Sequence, residues 1–136
     1  MTDITGKYQL TSSEKFDDYL KAVGVGFALR KLATLVESAT IDITKDNDVY
    51  TMKTTTTVKN HEVKFKLGEQ FTEHTMDGRD VACTFSLDGN KLHQVQRDPK
   101  TNLETTAERE FTGDELITTL RAGDVTSVRK YKKVVP

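Results

Sequence analysis

The sequence predicts an all-β domain of about ten short antiparallel strands, closed into an up-and-down barrel or a sandwich and accompanied by one helical hairpin. Three observations lead to this fold class. Segments with period-two alternation follow one another from residue 40 to the end of the chain. Tight turns such as Asp77-Gly78 and Asp88-Gly89 separate them. No crossover helix lies between them, so neighbouring strands must run antiparallel.

The only helical periodicity lies near the N-terminus. Residues 7–10 alternate and predict a short first strand, and residues 11–14 (TSSE) then offer an N-cap hydroxyl and the carboxylate of a capping box. The first helix has its apolar face at Phe16, Tyr19, Leu20 and Val23, and Gly24 suits its end. The second helix repeats the spacing at Val25, Ala28, Leu29, Leu32 and Leu35.

The clearest strand predictions lie at residues 40–44, 49–54, 63–67, 105–111 and 125–132. The threonines at 54–57 place hydroxyls on both faces of their strand. Threonine on both faces fits a wet interior better than a dry core.

The closing strand carries an arginine and a tyrosine on one face. Lys130 and Lys132 share a face with Thr126, whereas Arg129 and Tyr131 point to the opposite face. Two interpretations fit this spacing: a polar anchor inside the fold, or a solvated and charged edge strand.

A second strand favours the internal anchor. Arg109 shares its face with Ala107 and Phe111, which predicts that it points inward. Two inward arginines would cost several kcal/mol each if left dry and unpaired. They need an anion, a carboxylate from the chain, or water, and the sequence therefore predicts a cavity that receives an acid.

Composition limits the classes of protein. The 136 residues are enough for one domain, spanning 1–136, that can wall a cavity, and 35% hydrophobic residues is low for a dry interior. Lys+Arg 20 against Asp+Glu 21 leaves no overall field for nucleic acid. Cys83 is the single cysteine, so no internal disulfide forms and a reducing compartment is expected. With no signal-peptide pattern and no bilayer-spanning stretch, we expect a cytoplasmic protein.

Several motifs fail on inspection. The glycines at 24 and 26 lack the third glycine of a dinucleotide fingerprint and follow a helix instead of a strand. His61, His74 and His93 do not have metal-ligand spacing. No nucleophile is paired with a base, and the basic cluster at 129–133 is split over two strand faces. We therefore predict no catalytic residue, no metal, no cofactor and no nucleic-acid partner.

The sequence resembles the intracellular lipid-binding proteins, specifically the cytoplasmic fatty-acid-binding proteins. The resemblance covers nearly the whole chain in order. It is carried by GKYQL at 6–10, KFDDYL at 15–20, GVGFA at 24–28, FKLGE at 65–69, DGR at 77–79, LDG at 87–89 and VRKY at 128–131.

The resemblance implies a clam-shaped barrel of ten antiparallel strands capped by the helical hairpin as a lid. It implies a non-enzymatic carrier whose long-chain fatty acid lies in a hydrated cavity, with the carboxylate held by Arg109, Arg129 and Tyr131. It also implies a portal and tail-binding wall formed by Phe16, Tyr19, Val25, Ala28, Ala33, Val58, Met76, Asp77, Thr118 and Leu120. Val58 stands where many members have a portal phenylalanine.

Other functions remain open at this stage. The arginine pair excludes the retinol-binding branch but allows a retinoic-acid or other acidic-lipid carrier; a small barrel enzyme and a filled interaction module are further alternatives. Lys21, Arg30 and Lys31 on the helices could contact anionic membranes during ligand transfer, or they could form ordinary solvated surface. We expect a monomer.

Overall fold

Ten strands and two helices follow one another in the computed structural model, which describes residues 3–35, 39–57, 59–76 and 78–134. The strands are β1 (Gly6–Glu14), β2 (Ala39–Asp46), β3 (Val49–Thr56), β4 (Asn60–Lys66), β5 (Phe71–His74), β6 (Asp80–Asp88), β7 (Lys91–Arg97), β8 (Glu104–Phe111), β9 (Glu115–Ala122) and β10 (Val125–Lys133). The helices α1 (Phe16–Ala22) and α2 (Phe27–Leu35) lie between β1 and β2. None of the helices within these residues has the length and apolarity needed to cross a bilayer.

The strands form one sheet in which every pairing is antiparallel. Its order is β4-β3-β2-β1-β10-β9-β8-β7-β6-β5, so the first and last strands of the chain pair at its centre. Over the described residues no ladder joins β4 to β5, and this seam is where the barrel stays open. The prediction of a ten-stranded antiparallel barrel with a helical hairpin is confirmed.

The predicted capping box at residues 11–14 is wrong. These residues continue β1, where Ser12, Ser13 and Glu14 pair with Lys130, Arg129 and Val128 of β10. The N-cap of α1 is Lys15, which has φ 58 and makes no side-chain cap hydrogen bond. Pairing with a whole strand outweighs one local capping interaction, which contributes about 1 kcal/mol.

The two helices pack differently. Helix α1 lies against β10 and β9, and Tyr19 and Val23 are buried there. Helix α2 contacts α1, and its predicted apolar face is not sealed: Leu29 and Leu32 stay 42% and 46% exposed. The hairpin therefore covers the barrel mouth without filling it.

The barrel is packed at the end away from the helices. Aromatic rings stack there across neighbouring and facing strands, with the Phe65 and Phe85 centroids 3.8 Å apart and Tyr50 stacked on Phe65 at 5.4 Å. Leu92 and Leu116 are fully buried in the same cluster. This packed end supplies the hydrophobic core, so the space beneath the helices does not have to be filled.

Candidate functional site

A two-lobed cavity lies beneath the helices. The apolar lobe, of about 170 Å³, is lined mainly by Phe16, Leu20, Val25, Leu29, Leu32 and Ala33. The polar lobe, of about 180 Å³, contains the side chains of His61, Glu73, Thr75, Gln94, Gln96 and Arg109. The two lobes share the side chains of Phe16, Leu20, Thr54 and Met76, so they are adjacent. Together they reach the lower end of the roughly 300–1,000 Å³ typical of ligand pockets.

Arg129 borders the apolar lobe, and its partners are neutral. Its Nε donates to the Tyr131 hydroxyl at 3.3 Å, and its Nη1 donates to Ser13 Oγ at 3.2 Å. The guanidinium carbon lies 3.8 Å from the centre of the Phe16 ring, so the first turn of α1 rests on the arginine. No carboxylate of the described residues pairs with this cation. Arg129 therefore presents uncompensated positive charge at the cavity wall.

Arg109, on β8, lies two strands away from Arg129, on β10, at the same level of the barrel wall. Strand register pairs Thr118 of β9 with Arg109 on one side and with Arg129 on the other. Arg109 Nη1 donates to Gln94 Oε1 at 2.8 Å. Within the described residues, Arg109 Nε and Thr118 Oγ1 are buried without a hydrogen-bond partner. A ligand oxygen or a water molecule that reached them would satisfy both.

A carboxylate inside the cavity offsets the charge of Arg109. Glu73 is only 6% exposed, and its Oε1 accepts from Gln94 Nε2 at 3.0 Å and from Gln96 Nε2 at 2.7 Å. Thr105 Oγ1 donates in turn to Gln96 Oε1 at 3.2 Å. Gln94 thus joins Arg109 to Glu73 by accepting from the first and donating to the second. The sequence predicted a need for such a counter-charge without locating it.

Burial changes the ionisation of two groups beside this network. Burial lowers the pKa of Arg109 below its ordinary value, and the Tyr131 phenol and the Glu73 carboxylate oppose part of that shift. Burial also raises the pKa of the Cys83 thiol from 9.0 to about 12, although Gln94 donates a hydrogen bond towards its sulfur at 3.4 Å. Burial therefore disfavours charge in this part of the cavity wall, and the nearby Glu73 carboxylate offsets part of that effect for Arg109.

The structure brings together most of the side chains predicted for the tail and portal. Phe16, Tyr19, Val25, Ala33, Met76 and Leu120 all line one lobe or the other. Thr118 is buried between the two arginines in the strand register and is not among the residues that line either lobe. Ala28 differs from the prediction: it is exposed, because α2 turns Leu29, Leu32 and Ala33 towards the cavity instead. Val58 and Asp77 lie outside the described residues.

Sequence reasoning missed the glutamate and the two glutamines. Alternation carries a usable signal for each of them, because inward faces repeat every second residue. Glu73 shares its face with Phe71, and Gln94 and Gln96 share theirs with Leu92. No three histidine, cysteine, aspartate or glutamate side chains of the described residues are grouped closely enough to hold a metal ion.

Comparison with known proteins gives a consistent result. Residues 5–134 match the model of the lipocalin / cytosolic fatty-acid binding protein family. A fatty acid-binding protein of Tyrophagus putrescentiae is 44% identical over 134 residues, which are 98% of this chain and 99% of the relative.

Solved structures agree with this relationship. The Schistosoma mansoni fatty acid binding protein in complex with arachidonic acid superimposes with a TM-score of 0.92 at 40% identity, over 99% of this chain and 98% of that one. A fatty acid-binding protein from Drosophila melanogaster brain tissue gives a TM-score of 0.86 at 48% identity, over 93% and 95% of the two chains. With the barrel, the helical hairpin and the cavity described above, this chain belongs to the lipocalin / cytosolic fatty-acid binding protein family.

Proposed function

We propose that the protein binds and transports long-chain fatty acids in the cytoplasm as a non-enzymatic, monomeric carrier. One observation carries the proposal: Arg129 lies at the wall of a largely apolar cavity, and its hydrogen-bond partners are uncharged. A carboxylate can balance that charge and an alkyl chain can occupy the apolar lobe. The names of the relatives and the arachidonic acid bound by the Schistosoma protein support the same ligand class.

The free energies expected for the fatty-acid tail and for its carboxylate head indicate what each contributes to binding. Burying about fifteen methylenes stabilises the complex by at most ~12 kcal/mol at ~0.8 kcal/mol each. Ordering the ligand offsets much of this gain, so affinities between micromolar and nanomolar are expected. The alkyl chain of the ligand thus sets most of the affinity. Arg129, Tyr131 and Arg109 set the orientation of the ligand and the preference for an acidic head group.

A titration of the delipidated protein tests this proposal. Palmitic acid and methyl palmitate have the same chain, but only the acid carries a charge. We expect the acid to bind at least about tenfold more tightly, the scale of one hydrogen bond to a charged group. Native mass spectrometry before and after delipidation identifies what the protein retains from its host. Equal affinity for acid and ester would contradict the carboxylate anchor.

The same titration separates the alternative functions. We expect retinoic acid to compete more weakly than oleic acid, because its rigid ring and polyene chain can adapt less than a flexible alkyl chain to an apolar lobe of about 170 Å³. Bound lipid should be recovered chemically unchanged after prolonged incubation. Recovery of a modified acid would instead indicate an enzyme.

We also propose transient contact between the helical hairpin and membranes during ligand transfer. Phe27, Leu29 and Leu32 of α2 are 70%, 42% and 46% exposed, and Lys21 is exposed on α1. Arg30, one of the three cations considered for this contact, binds Asp17 Oδ1 at 3.1 Å and the Val25 carbonyl at 2.9 Å, so the proposed contact does not rely on it. Transfer of a fluorescent fatty acid to vesicles should accelerate with anionic lipid content. A rate independent of that content would exclude an electrostatic contact.

A further inference from the structure

The Glu73 carboxylate has accepting capacity that the strong donors around it do not use. Oε1 receives both glutamine amides, and the other hydrogen-bond partner of the carboxylate is the Cys83 thiol, which is a weak donor. His61 Nε2 lies 3.8 Å from Glu73 Oε2. That separation is too long for a hydrogen bond.

His61 is already committed elsewhere. Its Nε2 lies 2.7 Å from the carbonyl oxygen of His74, and a carbonyl can only accept, so Nε2 carries the proton and donates it there. This bond crosses the seam between β4 and β5, which no ladder closes in the described residues. His61 is therefore engaged across the seam, and both it and Glu73 line the polar lobe.

This acceptor decides which chains the polar lobe accommodates. A plain methylene chain that displaced water from Oε2 would leave part of a buried carboxylate unsatisfied, which is costly. A hydroxyl group at the same depth would donate a hydrogen bond to it, and a bond to a charged acceptor is among the stronger ones. A ligand carboxylate would be repelled from Glu73, so the acid head remains at Arg129.

We propose that Glu73, held by Gln94 and Gln96, is a second recognition site that selects long-chain acids carrying a hydroxyl group partway along the chain. This inference rests on the proposed function, because it takes the acid head to lie at Arg129. It adds a substrate class that the two arginines cannot distinguish. Chains whose hydroxyl does not reach Oε2 gain nothing from it.

The test is a series of monohydroxystearic acids, differing in hydroxyl position, titrated beside stearic acid. At one position or a few adjacent positions we expect affinity about tenfold higher than that of stearic acid. The matching methoxy acid keeps the oxygen but cannot donate, and it should lose the gain. This ligand-side control needs no variant and is unaffected by folding.

Variants locate the effect at Glu73. Glu73→Met removes the acceptor and should reduce the hydroxyl preference, taken as the ratio of hydroxy-acid to stearic-acid affinity within the same variant, to less than about threefold. Glu62→Gln removes an exposed carboxylate from β4 and serves as the matched control, with the preference unchanged. If Glu73→Met does not fold, the methoxy comparison decides alone.

Two results would overturn the inference. The first is a flat positional series, and the second is a methoxy acid that binds as tightly as its hydroxy parent. In both cases binding of stearic acid that still depends on Arg129 leaves the proposed function intact. Failure of every acid to bind would instead remove the proposed function and this inference together.

Discussion

The two arginines of the cavity face the same interior from neighbouring parts of the sheet, yet their surroundings differ. Arg109 donates to Gln94, which itself donates to the Glu73 carboxylate, so its charge is balanced inside the protein. Arg129 donates to the hydroxyls of Tyr131 and Ser13 and lies against an aromatic ring. Residue type and inward orientation are therefore insufficient to define an anion site. The partners decide: Arg129 is available to a ligand, and Arg109 mainly supports the wall.

The largest expected effect tests Arg129. Arg129→Ala should weaken fatty-acid binding by about 1.5–3 kcal/mol, the scale of hydrogen bonds to a charged group, which is roughly a 10- to 150-fold loss. Methyl ester binding should barely change. Isothermal titration of both ligands measures the difference.

Lys130→Ala is the matched control for Arg129→Ala. It removes the same charge from the next residue of β10, but that side chain is exposed on the outer face. Its affinity for the acid should stay within a factor of about two, because exposed charges contribute little. Equal losses in the two variants would show that overall charge, and not the cavity anchor, governs binding.

Arg109 should respond mainly in stability. Arg109→Met leaves the buried Glu73 carboxylate without its balancing charge, so we expect the free energy of unfolding to fall by about 1–3 kcal/mol. Fatty-acid affinity should fall less than in Arg129→Ala. Urea unfolding and the same titration give the two numbers.

A double-mutant cycle sharpens this assignment. Adding Glu73→Gln to Arg109→Met removes the unpaired charge, so the pair should be coupled, with the double variant more stable than the sum of the single losses. Simple additivity would mean that Glu73 does not balance Arg109. The two cavity arginines would then be electrostatically alike.

The parts of the site that the sequence predicted are those set by strand alternation. Period two placed Arg109, Arg129 and Tyr131 on inward faces because each strand carries apolar or small neighbours two residues away. The network of Glu73 with Gln94 and Gln96 escaped prediction because it joins β5 to β7, which are not neighbours in the sheet. Contacts between non-adjacent strands depend on how the barrel curves, which local patterns do not encode.

The capping box failed for a related reason. Residues 11–14 have the composition of a helix start, but β10 offers them a complete ladder, which includes pairing of Ser13 with Arg129. That pairing brings the Ser13 hydroxyl to the Arg129 guanidinium. Strand pairing between β1 and β10 thus outweighed the local helix-start pattern of residues 11–14. The same pairing gives Arg129 an uncharged hydrogen-bond partner, Ser13.

The ionisation of the Cys83 thiol reports on the charges of the network that joins Arg109 to Glu73. Burial is the main cause that raises the pKa of the thiol from 9.0 to about 12; the Glu73 carboxylate adds to the rise, and Arg109 opposes it. The unfolded chain then loses its proton at lower pH than the native state, so stability falls as pH rises above 9. About 1.4 kcal/mol should be lost by pH 10.

Cys83→Ala removes this titration, so apart from a constant offset due to the smaller side chain its stability should fall much less between pH 8 and 10 than that of the unsubstituted protein. The comparison stops at pH 10 because burial also raises the pKa of Tyr8, which contributes at higher pH. Urea unfolding at half-unit steps measures the two slopes. Parallel slopes would mean that the thiol ionises as readily in the native protein as in the unfolded chain.

The smallest expected effect concerns the Tyr131 hydroxyl, which is a hydrogen-bond partner of Arg129 but not of Arg109. Tyr131→Phe removes the acceptor of the 3.3 Å bond from Arg129 Nε and a donor for the ligand carboxylate. Affinity for palmitic acid should fall by about 0.5–1.5 kcal/mol, the range of one ordinary hydrogen bond. Tyr8→Phe is the matched control, because its hydroxyl donates to the Ile4 carbonyl in the packed end of the barrel. That variant should lose stability without losing affinity.

Since Tyr131 acts together with Arg129, its substitution should cost little further affinity once Arg129→Ala is present. A full and additive loss in the double variant would show that the phenol binds the ligand independently of the arginine.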